Sequence, residues 1–253
     1  MRAAVVRHGL APRLLGAQAE AGASARRQPV GGLAGLVAAL AYSSFLLAGP
    51  LGSTLDPRNS YVSELGVPTQ AASWFFRSTD VVAGGLMVVL AVALRGSLPR
   101  DWRRGVGTTA LGLVGVSSVF DGWKPMACTP SIDRACRLRE DAMGLLGQLR
   151  EPHTVSSVTG VVAAIVSMAA LGHLLASVRG HRRLGRYGQA TALVAVGLSV
   201  AELPLTTADP GVGLIERLFV LGVSAWIATL GLLLLPPRRH HRAAGSAALV
   251  GSG

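Results

Sequence analysis

Ionisable residues stand at the ends of several long apolar runs, and their types limit the chemistry on offer. Asp80 opens one run and Asp121 closes the next. His153 opens another, Glu202 lies just inside the end of the following one, and Glu216 with Arg217 opens the last. Glu64 joins them from the segment "SELG". Carboxylates with an imidazole can hold a cation, act as an acid–base pair, or lock helices together. Counting back from Asp121 by three and four reaches Ser118 and Ser117, with Gly115 near the same face. Counting forward from His153 by three, four and seven reaches Ser156, Ser157 and Gly160. These are helical spacings, so each ionisable residue sits above a narrow stripe of small and polar side chains. Such stripes also serve simple close packing of helices. Glu202 and Glu216 lie at equal separations on either side of Asp209, a spacing that predicts similar depth in a helical hairpin. A Glu202–Arg217 ion pair would then lower the cost of burying either residue, and would equally serve only to lock that hairpin.

Other chemistries lack their residues. The histidines are His8, His153, His173, His181, His240 and His241, and only His153 falls among these acids, so a multi-histidine metal site has too few ligands there. A carboxylate site built on Asp121, Glu64 and His153 is the remaining metal option, and no metal is expected. No HExxH pair, phosphate-cradling glycine loop or nucleophile elbow occurs at workable spacing. No cofactor is expected.

The elements that must position these groups follow from composition. Half of the 253 residues are hydrophobic and 15% are charged. Apolar runs centred on 31–51, 79–95, 105–122, 154–178, 187–206 and 213–236 approach the roughly 20 helical residues that cross a bilayer. The expected fold is an all-α polytopic membrane bundle of six transmembrane helices, with both termini cytoplasmic. Residues 1–29 and 237–253 are expected to be disordered cytoplasmic tails around a membrane domain at 30–236. A net charge of +11 suggests nucleic acid in a soluble protein, but here the charge is distributed by threading. With the amino terminus inside, the arginines of the first tail, Arg95 to Arg104, Arg179 to Arg186 and Arg238 to Arg242 all fall in the cytoplasm. Only Glu20 and Asp101 among the acids join them, and the basic excess obeys the positive-inside rule. The expected location is the cell membrane, with the bilayer as partner and no nucleic acid.

Two connections on the outer side are long. One carries "SELG" and then Trp74, Phe75 and Phe76, placed for an interfacial aromatic belt. The other carries Cys128 and Cys136, eight apart around Pro130 and Ser131, on the side where disulfides persist. A small disulfide loop is the expected outcome, with two free thiols the alternative. The stretch "RLREDAMGLLGQLREP" predicts a short amphipathic helix, with Leu138, Met143, Leu146 and Leu149 near one side, lying on the membrane or capping the bundle.

Taken together, Ser63, Glu64 and Leu65, then Asp121, then Cys128, Pro130, Ser131, Asp133 and Cys136 in a C-x-P-S-x-D-x-x-C loop, then His153, form an ordered set. It resembles the prokaryotic multi-pass membrane proteins grouped as domain of unknown function 998 (DUF998). The resemblance spans roughly residues 30–236 and departs from the family's FP-x-D pattern, reading "FDGWKPMAC" instead. It implies the architecture without naming a reaction. Three functions stay open. The first is an acidic pocket, formed by Glu64, Asp80, Asp121, His153, Glu202 and Arg217, that takes a lipid headgroup or small solute from outside. The second is a structural or accessory subunit without a ligand. The third is a hydrolase or transferase on outer-leaflet lipid, with Asp121 or Glu64 as base, His153 as its partner and Arg217 stabilising an anion. The threading makes its own prediction: after mild reduction, an impermeant thiol reagent labels Cys128 in intact cells, and labelling only after lysis would invert the topology.

Overall fold

The computed structural model describes residues 28–202 and 209–236, all of whose regular structure is helical. Of the expected tails at 1–29 and 237–253, residues 1–27 and 237–253 lie outside the described residues, while Gln28 and Pro29 already belong to the first helix. The helices are α1 (Gln28–Tyr42), α2 (Ser73–Ser97), α3 (Trp102–Trp123), α4 (Arg134–Gln148), α5 (Pro152–Ser177), α6 (Arg182–Glu202) and α7 (Val212–Leu234). Short 3-10 turns occupy Ser44–Leu47 and Ser63–Gly66. Of these, α2, α5 and α7 are long and apolar enough to cross a membrane. Helices α3 and α6 have comparable lengths but open on arginines, and α1 is a shorter apolar helix.

The first apolar run does not make one long helix over 31–51. Helix α1 ends at Tyr42, where Ser43 Oγ turns back to Ala39 O at 2.9 Å. Ser44 Oγ is instead 2.8 Å from Thr79 Oγ1 on α2. The chain then runs through a 3-10 turn to Gly49 and Pro50, and the residue before a proline is steered away from helical geometry. Helix α3 starts cleanly because the Asp101 side chain accepts from Arg103 N at 2.7 Å, an N-cap that offsets unsatisfied amides.

Around the bundle, successive long helices pack antiparallel, with α4 passed over: α2 on α3, α3 on α5, α5 on α6 and α6 on α7. Helix α1 closes the ring, meeting α2 where Gly31 abuts Ala93 and α7 where Gly35 abuts the backbone of Gly231. One end of the ring, the α4 end, carries the 43–72 connection, α4 and the start of α7. The other is the arginine end, with Arg95, Arg100, Arg179 and Arg182 among its charges.

The largest fully buried side chains include Met87, Leu90 and Leu94, Leu111, Met168, Leu171 and Leu175, and Trp226, Ile227 and Leu230. Each lies in the part of its helix nearer the arginine end, and most of the solid core occupies that half, although Leu65 and Glu64 are as fully buried at the α4 end. Outward, α1, α2, α3, α5, α6 and α7 expose aliphatic side chains such as Leu40, Val92, Val116, Val155, Leu193 and Leu218. A soluble monomer rarely shows so continuous an apolar surface. Exposed Trp102 and Trp123 bound α3, about 32 Å apart at helical rise, close to the hydrocarbon thickness of a bilayer.

Glycine sets the closest helix approach. A Cβ on Gly84 would stand 2.3 Å from Gly115 O, and one on Gly115 would stand 2.5 Å from Gly84 O. Those obstacles are backbone and cannot swing aside. Gly85, one residue on, would meet nothing within 4 Å. Gly84→Ala therefore lowers thermal stability in detergent, by about 1–3 kcal/mol from overpacking. Gly85→Ala is neutral or raises it slightly by its better helix propensity. Equal effects of the two changes would refute a backbone-to-backbone contact.

Candidate functional site

At the α4 end, two connections are tied to the helices by charged side chains that bond mainly to backbone. Arg217 Nη1 donates to Pro57 O at 2.8 Å, Ser60 O at 2.6 Å and its own-helix Gly213 O at 2.9 Å. Glu216 Oε2 accepts from Val62 N at 2.5 Å, and Gly213 N donates to Arg58 O at 2.9 Å. Arg217 therefore clasps the 43–72 connection to α7, and the expected pairing with Glu202 is replaced by these carbonyls. A buried guanidinium is tolerated because several acceptors replace its water.

The "SELG" turn works in the same way. Glu64 is wholly buried. Its Oε1 accepts from Tyr61 N at 2.9 Å, and its Oε2 accepts from Ser131 Oγ at 2.5 Å and Ser131 N at 3.3 Å. Cys128 and Cys136 are disulfide-bonded, with sulfurs 1.98 Å apart. Asp133 Oδ1 accepts from Ala135 N and Cys136 N, capping α4. Each polar member of the C-x-P-S-x-D-x-x-C motif thus acts locally. Ser131 binds Glu64, Asp133 starts α4, and the cysteines close the loop. Glu140 lies near both sulfurs, but sulfurs bonded to each other are not the thiolates that a soft metal requires.

Helix α4 is not the continuous amphipathic element expected. Gly144 has φ 60° and ψ 179°, which breaks the helix and scatters the leucine stripe. Leu138, Leu146 and Leu149 are exposed, while Arg137, Glu140, Asp141 and Met143 face a cavity. The helix serves as a partial roof.

Beneath that roof is a cavity of about 770 Å³. Its polar lining includes Asp80, Asp121, His153, Glu202 and Glu216, and its deeper lining is apolar, with Phe45, Val114, Ala164, Ile165 and Phe219. Asp121 and His153 meet across the α3–α5 contact, with Nδ1 3.2 Å from Oδ1. That is ion-pair distance, although Nδ1 is not aligned for a hydrogen bond. Ser156 Oγ donates to Asp121, and Ser157 Oγ lies 3.4 Å from Asp121 Oδ2 and 3.5 Å from His153 Nε2. The serine stripe below His153 thus serves Asp121, and Gly160 packs against Ser117 as close packing requires. On the facing helix, Ser118 Oγ donates to Asp80 O at 2.9 Å.

Of the residues singled out from sequence, Asp80, Asp121, His153 and Glu202 line this cavity together. Glu64 and Arg217 do not; they brace its surroundings. Sequence reasoning passed over Arg77, Tyr42, Tyr61, Glu140 and Asp141, which also line it. Arg77 Nε donates to Gly122 O at 2.9 Å, so it caps the end of α3 from inside the cavity. Nothing in the spacing of a lone arginine beside an aromatic cluster indicates that role. Residues 203–208, in the expected hairpin turn, lie outside the described residues.

The sequence matches, over residues 11–233, a family described as protein of unknown function (DUF998). The chain belongs to that family. No curated protein and no solved structure matched it. Family membership and the apolar helices together make this DUF998 protein a multi-pass membrane protein.

Among groups outside the long helices of the ring, burial raises the Glu64 carboxyl above its ordinary 4.5, opposed by the Ser131 and Tyr61 hydrogen bonds and by the charge of Arg217. Burial also raises Tyr61, helped by the carboxylates around it. A carboxyl raised on folding means that the folded state binds more protons than the unfolded one. Its stabilising contribution is complete below the unfolded pKa and is lost as pH rises through the folded pKa. The contribution of Glu64 to the thermal stability of the DUF998 protein therefore declines as pH rises through its raised folded pKa. Glu64→Gln flattens that slope, and an unchanged slope in that variant would remove Glu64 as its source.

Proposed function

We propose that this DUF998 protein crosses the cell membrane six times, with both termini cytoplasmic and the α4 end outside. We further infer that its cavity binds a cation there, either a lipid headgroup or a small solute. Three features support the threading: the arginine-rich segments, the disulfide at the opposite end, and tryptophans at both ends of α3.

The observation that carries the ligand reading is the sign of the cavity lining. Asp80, Asp121, Glu202 and Glu216 reach it from four different helices, and Glu140, Asp141 and Glu151 surround its roof. The cationic side chains nearby have partners of their own. Arg77 donates to carbonyls at the end of α3, Arg137 to Pro130 O, and His153 faces Asp121. Carboxylates at membrane depth are costly, and an excess of them around a wet cavity favours a positively charged guest. The cavity volume is in the usual range for small-molecule sites.

The test is ligand-dependent thermal stabilisation of the purified protein in detergent, using tetramethylammonium, choline and ethanolamine, with sulfate as the anionic control. The cations raise the unfolding temperature in a saturable way, sulfate does not, and Asp80→Asn with Asp121→Asn removes the effect. Free ligand at 100 times Kd adds about 2.7 kcal/mol, which is readily measured. If no cation stabilises the wild type, the binding reading fails. Reduced expression of the variants without any ligand effect would identify a structural subunit, and headgroup turnover would identify an enzyme.

A further inference from the structure

Helices α5 and α6 do not stay together along their length. Near the arginine end they touch backbone to backbone. A Cβ on Gly185 would stand 2.1 Å from Ala176 N, and one on Gly172 would stand 2.9 Å from Gln189 N. Gly188 seats the Trp226 ring of α7 in the same region. Toward the α4 end this contact is lost. The buried residues of α6 are Gly185, Gly188, Ala192 and Ala195, and none of its described residues from Val196 to Glu202 is buried.

The side chains along this divergence have a double character. Val158 and Val162 on α5, and Val196 and Val200 on α6, all line the cavity. The same four have 47%, 55%, 42% and 59% of their surface accessible, whereas Val114 and Ala164 on the same lining have 3% each, so the cavity alone does not account for that exposure. A side chain that borders an interior cavity and is also half open to the outside marks an aperture in the wall. The flanking exposed residues are aliphatic, among them Val155, Leu193 and Val194. The aperture therefore faces the hydrocarbon of the bilayer in the threading proposed above. The polar mouth beneath α4, bordered by the exposed Asp141 and Glu151, is a different opening.

We propose that the slot between α5 and α6 is a lateral portal, and that the guest of the cavity is a membrane amphiphile with a cationic headgroup and an alkyl tail. The headgroup sits among Asp80, Asp121 and Glu202. The tail lies along Val161 and Ile165 and leaves between Val162 and Val200 into the lipid. This placement accounts for two observations that a water-soluble cation leaves unused: the apolar deeper wall and the aliphatic slot. An alkyl chain in that path exchanges one apolar environment for another, so the acids supply the selectivity and the portal supplies the route. The inference rests on the cation-binding reading and narrows its guest to a lipid.

The experiment uses the full-length wild-type chain in nanodiscs and an alkyltrimethylammonium probe with a diazirine in its tail. After illumination, peptide mapping finds adducts on the cavity-facing residues Val161 and Ile165. Soluble tetramethylammonium in excess suppresses those adducts on the order of tenfold, because it takes the headgroup position. Val200→Trp, which fills the slot, reduces them as well, while adducts on outward-facing Leu193 persist in every sample. Suppose tetramethylammonium stabilises the protein but adducts appear only on outward residues, or cavity adducts resist competition. The portal is then overturned with the cation site intact. A tetramethylammonium effect absent from the wild type overturns the cation site itself. Should Val200→Trp fail to fold, the wild-type adduct map and its competition decide the matter alone.

Discussion

Close backbone contact at glycine governs how this bundle divides its interior. Where Gly84 meets Gly115, Gly35 meets Gly231, and Gly172 and Gly185 lock α5 to α6, the helices approach as near as their backbones permit. Near the arginine end, Met87, Leu90, Leu171, Trp226 and Ile227 are then buried between the helices. Helices α2 and α3 stay close even at the α4 end, where a Cβ on Gly122 would stand 2.5 Å from Arg77 O. Helices α5 and α6 are locked only near the arginine end, and long connections join the helices at the other, which leaves room there. The cavity is thus the counterpart of the core: one ring of helices, closed at the arginine end and open at the α4 end.

Keeping that open end ordered requires something other than apolar packing. The chain uses charged side chains satisfied largely by backbone. Arg217 takes three carbonyls, Glu216 takes the Val62 amide, and Glu64 takes the amides of Tyr61 and Ser131 with the Ser131 hydroxyl. Removing one partner of such a set leaves a buried charge or amide uncompensated, which costs more than the bond contributes net. The disulfide between Cys128 and Cys136 adds a short covalent loop at the point where Ser131 must present itself to Glu64. Roof and clasp are therefore one polar structure laid across the end of an apolar ring.

Within that frame the acids divide into two groups by what surrounds them. Glu64 is enclosed by donors and braces the fold. Asp80, Asp121 and Glu202 border space, and Asp121 is further held by Ser156 and faced by His153. The distinction between a carboxylate that braces and one that borders open space is a matter of neighbours. Both kinds occur here within a few turns of each other.

Much of this architecture is legible in the chain itself. Long uncharged runs specify apolar helices, because a backbone without water must bond internally. The arginine distribution, the cysteine spacing, and the alignment of Asp121 with His153 and their serines follow from helical periodicity and composition. What periodicity cannot supply is the rotation of one helix against another, or where a connection folds back. Hairpin spacing therefore matches Arg217 with Glu202, whereas in the fold it reaches carbonyls more than 150 residues earlier in the chain. For the same reason the first apolar run reads as one helix but ends at Tyr42, where Ser43 turns its hydroxyl onto Ala39. The break at Gly144, the inward turn of Arg77 and the parting of α5 from α6 depend on contacts between residues remote in sequence. Hydrophobicity decided which segments are helices; the packing of glycine against distant backbone decided where those helices leave a space.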